Sequence, residues 1–279
     1  MADYSDSSLG KTTEYKDQYD PGLLFTVARS NARDQLLFSV EGLSSTALPF
    51  KGWDIWTGFE LSWLNQDGMP QVAVGEFLFP CDSSHIVESK SFKLYLNSFN
   101  QTVFSTWEEV RERMVEDLSQ AAGGRVDVIL YQMGEYNGFR PVTEPQGICL
   151  DQQDIVIDRY NRNPDFLKSG SSVVEEMLYS HLLRTNCPVT GQPDWASIYI
   201  SYHGPQIDRK GLLKYLVSYR KHQDFHEQCV ETIFTDIMKY CAPLELDVYA
   251  RYTRRGGLDI NPYRSTRYEM PPHFRQVRQ

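Results

Sequence analysis

Long apolar runs are missing from this sequence, since no stretch approaches 18 uncharged apolar residues, the length that a membrane helix needs. Residues 1–21 are polar and lack the positive start and apolar block of a secretory signal. Basic residues are outnumbered, 28 against 37 acidic ones, which argues against a general nucleic-acid binder. We therefore expect a cytoplasmic protein without membrane or direct nucleic-acid partners.

Paired cysteines are missing as well. The five cysteines are odd in number and none form a CxxC pair, so a disulfide framework is excluded and most should be small buried residues. The sequence also lacks a GxGxxG after a strand, which excludes a Rossmann dinucleotide site.

The composition is that of a globular protein with a sizeable core. Of 279 residues, 41% are hydrophobic and 13% aromatic, enough for one large domain or two of ordinary size. Residues 251–279 hold seven arginines and only two acidic residues. A basic end on an acidic body suits a small phosphorylated ligand.

Hydrophobic patterns predict the same order of elements twice. Strands at 53–64 and 71–79 flank a turn at 65–68 and precede two helices, the second capped by Thr106 with Glu109 reaching back to the cap. A strand follows at 126–130. In the second half the segment 173–183 suits a helix by spacing, but the parallel with the first half favours a strand.

A fixed offset of 120 residues supports an internal duplication. Seven identities occur at this offset, among them Tyr95 with Tyr215 and Ser98 with Ser218. We predict an α+β protein with two tandem modules, each an antiparallel sheet with helices on one face. The expected division is an N-terminal extension of uncertain structure (1–50), a first module (51–145) and a second module (146–279).

Cys187 and Asp194 form the first candidate site. They lie seven residues apart in a loop with two prolines and one glycine, where a thiol nucleophile and a carboxyl acid or base could meet. A buried structural cysteine beside a turn-forming aspartate is the competing interpretation.

His222, His226 and Cys229 have the spacing of a partial zinc site on a helix face. No fourth ligand is evident, and a solvated first helical turn explains the same residues.

Two further segments suit a phosphate or a polar heterocycle. Residues 88–95 place a carboxylate, hydroxyls and two lysines at a helix start, and residues 252–259 place two arginines before two glycines. A capped amphipathic helix and a solvated basic turn are the alternatives.

Taken in order, these four segments resemble the queuosine-pathway nitrile reductases, the 7-cyano-7-deazaguanine reductase family, from about residue 11 to residue 279. The resemblance implies a tunnelling fold and a homodimer or larger assembly. It also implies a reaction, the NADPH-dependent reduction of the nitrile of the free base 7-cyano-7-deazaguanine to 7-aminomethyl-7-deazaguanine. The product feeds tRNA modification, and no metal is implied.

The resemblance also implies roles for individual residues. Cys187 would form a covalent thioimide, a protonated Asp194 would supply a proton, and His226 would assist proton transfer. The positions implied for the base are Val87, Glu88, Ser89, His226 and Glu227. The positions implied for NADPH are Ser89, Lys90, Arg255 and Gly256.

Two other functions stay open on the sequence. A zinc-dependent hydrolase related to the GTP cyclohydrolases would need the His222, His226 and Cys229 cluster. A non-catalytic purine-binding protein would keep Glu88 and Glu227 but would not need Cys187.

Overall fold

The computed structural model describes residues 15–37, 48–139, 141–143, 146–271 and 274–279. The strands are β1 (Thr26–Ala28), β2 (Lys51–Leu64), β3 (Pro70–Pro80), β4 (His85–Val87), β5 (Asp127–Tyr131), β6 (Ile148–Cys149), β7 (Ser169–Asn186), β8 (Pro193–Ile207), β9 (Glu245–Tyr252) and β10 (Leu258–Ser265). The helices are α1 (Ser30–Leu37), α2 (Ser89–Ser98), α3 (Trp107–Ala122), α4 (Met133–Phe139), α5 (Arg209–Ser218) and α6 (His226–Cys241).

Eight strands form one sheet in the order β5-β3-β2-β10-β9-β8-β7-β6. Strand β10 lies between the two halves, pairing with β2 on one side and β9 on the other. All of these pairs are antiparallel except the short β6–β7 pair. The predicted α+β class is confirmed, and the tunnelling fold stays an expectation. The boundaries at residues 50 and 145 stay a prediction.

Helices α2, α3, α5 and α6 cover one face of this sheet, whereas Tyr136 of α4 packs with Phe59 and Val74 on the other face. In the first half, α2 and α3 bury Phe92, Tyr95 and Leu118 against β2 and β3. In the second half, α5 and α6 bury Leu216 and Ile233 in the same way against β7, β8 and β9. On the opposite face Phe274 packs among tyrosines of three strands. Each amphipathic helix thereby buries the apolar stripe that its sequence period predicts.

The ambiguous segment 173–183 lies within strand β7, which pairs with β8 over most of its length. Val174, Leu178 and Leu182 recur every four residues. Four residues are two periods of a strand and about one turn of a helix, so the three side chains share a face in either structure. The spacing alone therefore could not separate the two structures. The long ladder with β8 is the contact that selects the strand.

One capping prediction needs a correction in detail. Thr106 caps α3 as expected, because its hydroxyl accepts a hydrogen bond from the N–H of Glu109 at 3.0 Å. The Glu109 carboxylate, however, accepts from the N–H of Ser105 at 2.8 Å and not from that of Thr106. Since Ser105 precedes the cap, the carboxylate bonds one residue further out than a capping box requires.

The two halves repeat their internal hydrogen bonds. In α2 the Tyr95 hydroxyl donates to Asp117 at 2.7 Å, and in α5 the Tyr215 hydroxyl donates to Asp236 at 2.5 Å. Ser98 donates to the carbonyl oxygen of Tyr95 at 2.6 Å, and Ser218 donates to that of Tyr215 at 2.6 Å. The tyrosines and serines that align at an offset of 120 thus make the same contacts, with the two aspartates at an offset of 119.

Several elements were not predicted from the sequence. Strand β10 is the most important, and the short elements β1, β4, β6, α1 and α4 were missed as well. Part of the predicted extension packs on the first module, where the N–H of Phe25 donates to the hydroxyl oxygen of Ser91 at 3.0 Å. Residues 1–14 and 38–47 lie outside the described residues.

A cluster of buried charged side chains joins the two halves of the chain. Arg264 binds Asp54 and Glu231, each at 2.8 Å. Arg29 reaches Asp54 at 2.5 Å, and Arg33 reaches Glu231 at 2.6 Å. Buried charges are stable only when paired, so this cluster fixes α1, β2, β10 and α6 relative to one another. It lies one turn along α6 from Glu227.

The prediction that most cysteines are buried is confirmed. Cys81, Cys187, Cys229 and Cys241 are buried, Cys149 is half-buried, and all five are free thiols. Among the described helices, none combines the length and apolar character needed to cross a bilayer.

Candidate active site

A cavity of about 220 Å³ collects residues from both halves of the chain. The first half contributes Trp56, Ile86, Val87, Ser89, Lys90 and Lys93. The second half contributes Cys187, Pro188, Thr190, Asp194, Asp224, Phe225, His226, Glu227, Thr253, Arg255, Leu258 and Ile260. The structure thus brings most of the predicted site residues together, although they are separated by more than a hundred positions in the chain.

Cys187 stands at the end of β7 in a closed loop. Its N–H donates to the carbonyl oxygen of Gln192 at 2.9 Å, and its own carbonyl accepts from the N–H of Gly191 at 3.0 Å. Gly191 has a φ of +67°, a left-handed conformation that glycine adopts without strain. The thiol is 7% exposed, so the loop presents a sheltered sulfur to the cavity.

Asp194 lies at the start of β8 and is 3% exposed. Its Oδ2 is 3.4 Å from Nε2 of His226, and its Oδ1 accepts a hydrogen bond from Arg255. Arg255 also donates to the side chain of Gln192 at 2.7 Å, next to the cysteine loop. One carboxylate therefore meets two basic side chains from two different elements.

The charge state of Asp194 differs from the expectation. Burial raises the pKa of this carboxyl, but the hydrogen bonds and charges of His226 and Arg255 outweigh burial and leave the pKa below its ordinary value. The resemblance to the nitrile reductases implied a protonated acid at this position. In the ligand-free protein Asp194 is a carboxylate instead, because two basic groups face it.

Helix α6 begins at this cavity. His226 is its first residue, and Gln228 stabilises the start by accepting a hydrogen bond from the N–H of Phe225 at 3.3 Å. Glu227 follows and is 2% exposed. Burial, and then the nearby charge of Asp54, raise the pKa of Glu227 to about 8. Glu227 therefore carries a proton at neutral pH in the ligand-free protein.

Glu88 is placed differently from the other predicted base-binding residues. It is fully buried and caps α2, accepting hydrogen bonds from the N–H groups of Lys90 at 2.6 Å and Ser91 at 2.9 Å. Its neighbours Val87 and Ser89 line the cavity, whereas Glu88 does not. Burial raises the pKa of Glu88 although both backbone bonds lower it.

Three of the four predicted cofactor positions line the cavity. Ser89, Lys90 and Arg255 line it, and Gly256 follows with a φ of +60°. Lys93 was not assigned from the sequence, yet it lines the same cavity, and burial followed by the charge of Arg255 lowers its pKa. Its place one turn after Lys90 in α2 is the signal that could have identified it.

The possible zinc ligands are not brought together as a site. His222 lies 3.5 Å from Asp224, His226 faces Asp194, and Cys229 is buried in the helix core. Over the described part of the chain, no three His, Cys, Asp or Glu side chains are grouped as a metal would require. His222 lies before α6, so the three residues do not share one helix face.

Comparisons with known proteins bear on the same two regions. Residues 15–130 match the family model described as nitrile reductase, 7-cyano-7-deazaguanine-reductase N-term. Residues 193–270 match the family model described as QueF-like protein. A solved structure described as the archaeosine synthase QueF-Like in the apo form aligns at 18% identity with a TM-score of 0.30, covering 35% of this chain and 95% of that one.

The two family models together span more than half of the chain, and the class they indicate is a nitrile reductase. The chain belongs to the 7-cyano-7-deazaguanine reductase family, in the form that carries two modules in one polypeptide. The resemblance found in the sequence is thereby confirmed.

Proposed function

We propose that this protein reduces the nitrile of 7-cyano-7-deazaguanine to the primary amine with NADPH, through a thioimide on Cys187. The observation that carries the proposal is the single cavity in which Cys187, Asp194, His226 and Glu227 meet the Ser89–Lys90 segment of the other half. Family membership supplies the reaction class, nitrile reduction.

Cys187 supplies what a nitrile needs before it can be reduced. A nitrile carbon is a poor hydride acceptor, and addition of a thiolate converts it into a more reactive thioimide. In this step a bond forms between sulfur and the nitrile carbon, and one electron pair of the triple bond moves to nitrogen. The nitrogen must then take up one proton.

Asp194 is suited to move that proton. As a carboxylate it can accept the thiol proton of Cys187, and as the resulting acid it can give the same proton to the nitrile nitrogen. The protons balance, because the one lost by sulfur is the one gained by nitrogen. His226, whose Nε2 lies 3.4 Å from the Asp194 carboxylate, would orient this carboxylate during the step and exchange protons with it in the later ones.

The residues around the cavity fit NADPH by their chemistry. Lys90, Lys93 and Arg255 offer three cations, and Ser89 offers a hydroxyl, a donor set suited to phosphate groups. Bound NADPH would supply the hydride, two being needed for each nitrile. Arg255 has a second role in the ligand-free protein, since it already holds Asp194.

NADPH absorbance tests this function directly. We expect the nitrile base to cause NADPH oxidation at two NADPH per base, with the amine as product. Binding of the base without oxidation would instead favour a purine-binding protein. Activity that chelation removes and zinc restores would favour the zinc-dependent hydrolase.

The raised pKa of Glu227 predicts a specific pH dependence of base binding. The guanine-like edge carries N–H donors, which need a carboxylate as acceptor, whereas a pKa of about 8 keeps Glu227 protonated at neutral pH. Affinity should therefore fall about tenfold per pH unit below 8 and level off above it. Calorimetry on Cys187→Ala protein would measure binding without the covalent step.

The matched control is Glu227→Gln in the same Cys187→Ala background. It keeps the shape but cannot ionise, so its weaker affinity should be flat from pH 6 to pH 9. The same titrations in two buffers should show release of about one proton per base bound below pH 8 in the parent alone. A pH-independent affinity in the parent would contradict the role of Glu227.

The remaining expectations stay predictions. They are a contribution of Glu88 and of the Val87 and Ser89 backbone to base recognition, a homodimer or larger assembly, action in the cytoplasm, and use of the product in tRNA modification. A carboxylate accepts up to four hydrogen bonds, so Glu88 can cap α2 and still accept from a ligand.

A further inference from the structure

We propose that Tyr252 is the positioning residue for His226, and that its ring holds the imidazole in the plane in which His226 faces Asp194. This inference rests on the proposed function, because it assigns Tyr252 an effect on the thioimide-forming step. Neither the sequence analysis nor the family match assigns a role to Tyr252.

The two rings are stacked face to face. Their centroids are 3.7 Å apart and their planes differ by 2°, the closest and most parallel of the described aromatic pairs. Tyr252 is fully buried, and the His226 side chain is 12% exposed. The tyrosine ring thus forms a rigid surface against one whole face of the imidazole.

The hydrogen bonds of His226 do not fix its plane by themselves. Nε2 faces Asp194 at 3.4 Å, a long contact, and Nδ1 is buried with no hydrogen-bond partner among the described residues. A functional histidine is commonly oriented by a hydrogen bond at its second ring nitrogen. Since that bond is absent here, the stack on Tyr252 is the contact that restrains rotation of the ring.

The backbone of Tyr252 is itself held in place. Its N–H donates to Oδ1 of Asn261 at 3.1 Å, and its carbonyl oxygen accepts from Nε2 of Gln279 at 3.0 Å. Gln279 also donates to Asn261 at 2.8 Å, which closes the set. The β9–β10 ladder includes only Tyr249, Val248 and Asp247 of β9. Beyond it, the Asn261 and Gln279 side chains make these hydrogen bonds to the Tyr252 backbone.

Four variants separate positioning from simple packing. Tyr252→Phe keeps the ring, and Tyr252→Leu removes it. Tyr249→Leu is the matched control, because Tyr249 is a buried tyrosine of the same strand that packs with Tyr263 and Phe274, away from His226. Gln279→Ala is a milder variant, which removes the Gln279 hydrogen bonds to the Tyr252 carbonyl oxygen, to Asn261 and to Arg251 but leaves both tyrosine rings in place.

The first readout does not depend on activity. A stacked tyrosine shifts the ring protons of His226 upfield in the NMR spectrum, and those signals are identified by their absence from His226→Gln protein. We expect the upfield shift in wild type, Tyr252→Phe and Tyr249→Leu, and its loss in Tyr252→Leu. Normal His226 shifts in wild type would overturn the proposal.

The second readout is the rate of adduct formation with the nitrile base, followed by intact mass. Misplacement of a catalytic group by about 1 Å can cost ~10²-fold, so Tyr252→Leu should slow the adduct 10- to 100-fold, with base affinity much less affected. Tyr252→Phe and Tyr249→Leu should react like wild type, and Gln279→Ala should be slowed less than Tyr252→Leu.

The outcomes distinguish this inference from the proposed function. If wild type forms the adduct and a folded Tyr252→Leu forms it equally fast, the positioning role is wrong while the function stands. If Tyr249→Leu is slowed as much as Tyr252→Leu, the effect is general packing and the role is again wrong. If Tyr252→Leu does not fold, Gln279→Ala protein serves as the test. The proposal is overturned if the NMR shifts of the His226 ring change in Gln279→Ala protein while its rate of adduct formation stays that of wild type. A wild type that forms no adduct would overturn the function itself.

Discussion

Cys187→Ala protein should form no covalent adduct with the nitrile base and should oxidise no NADPH in its presence. The thiol is the only nucleophilic sulfur that lines the described cavity, and removal of the attacking atom leaves the nitrile unactivated. Intact-mass analysis after mixing with the base alone should show added mass on wild type and none on the variant. Base binding should persist, because Glu227 is unchanged.

Cys241→Ala is the matched control for this variant. Cys241 is also a buried free thiol, but it lies at the far end of α6 within the core. It should form the adduct at the wild-type rate. Added mass on Cys187→Ala protein, or its loss on Cys241→Ala protein with the fold intact, would contradict the assignment of the nucleophile.

Asp194→Asn protein should form the adduct far more slowly while still binding the base. The amide keeps the shape of the carboxylate but can neither accept the thiol proton nor deliver one to the nitrile nitrogen. Loss of a positioned acid–base group costs ~10²–10⁴-fold, and we expect a slowing in that range. Single-turnover mass analysis would give the rate, and calorimetry would give the affinity.

Asp224→Asn provides the comparison for Asp194→Asn. Asp224 lines the same cavity but faces His222 at 3.5 Å and makes no contact with His226 or Arg255 among the described ion pairs. Its variant should react at nearly the wild-type rate. Equal slowing of both variants would mean that the charge of the cavity matters and the proton transfer does not.

Arg255 complicates any test of cofactor binding by substitution. Because it binds Asp194 as well as lining the cavity, Arg255→Ala would change the carboxylate and the phosphate-binding set together. The family resemblance implied only a cofactor contact for Arg255. The basic turn at Arg254 and Arg255 can be recognised in the sequence. The binding partner of the Arg255 side chain depends on the neighbouring loop at residues 187–194, which only the tertiary structure places beside it.

The local structure of this protein follows from its sequence to a large extent. Thr106 and Asp208 cap helices as their residue types indicate, and Tyr95 and Tyr215 repeat one contact because the duplicated sequence repeats its environment. Caps, periods and turns act over a few residues, so the chain carries them in readable form. Cys187 and Asp194 could be singled out as one short loop segment, whereas the roles of His226 and Glu227 were implied only by the family resemblance.

The relation between those segments was decided by the tertiary structure. Strand β10 joins the two halves into one sheet. The turn between β9 and β10 places Arg255 next to Asp194, and the end of β9 places the Tyr252 ring against that of His226. Glu88 became a helix cap, and Glu227 gained its high pKa from burial beside Asp54. These features depend on strand register and on packing between distant segments, which bring together charges and rings that no short sequence window contains.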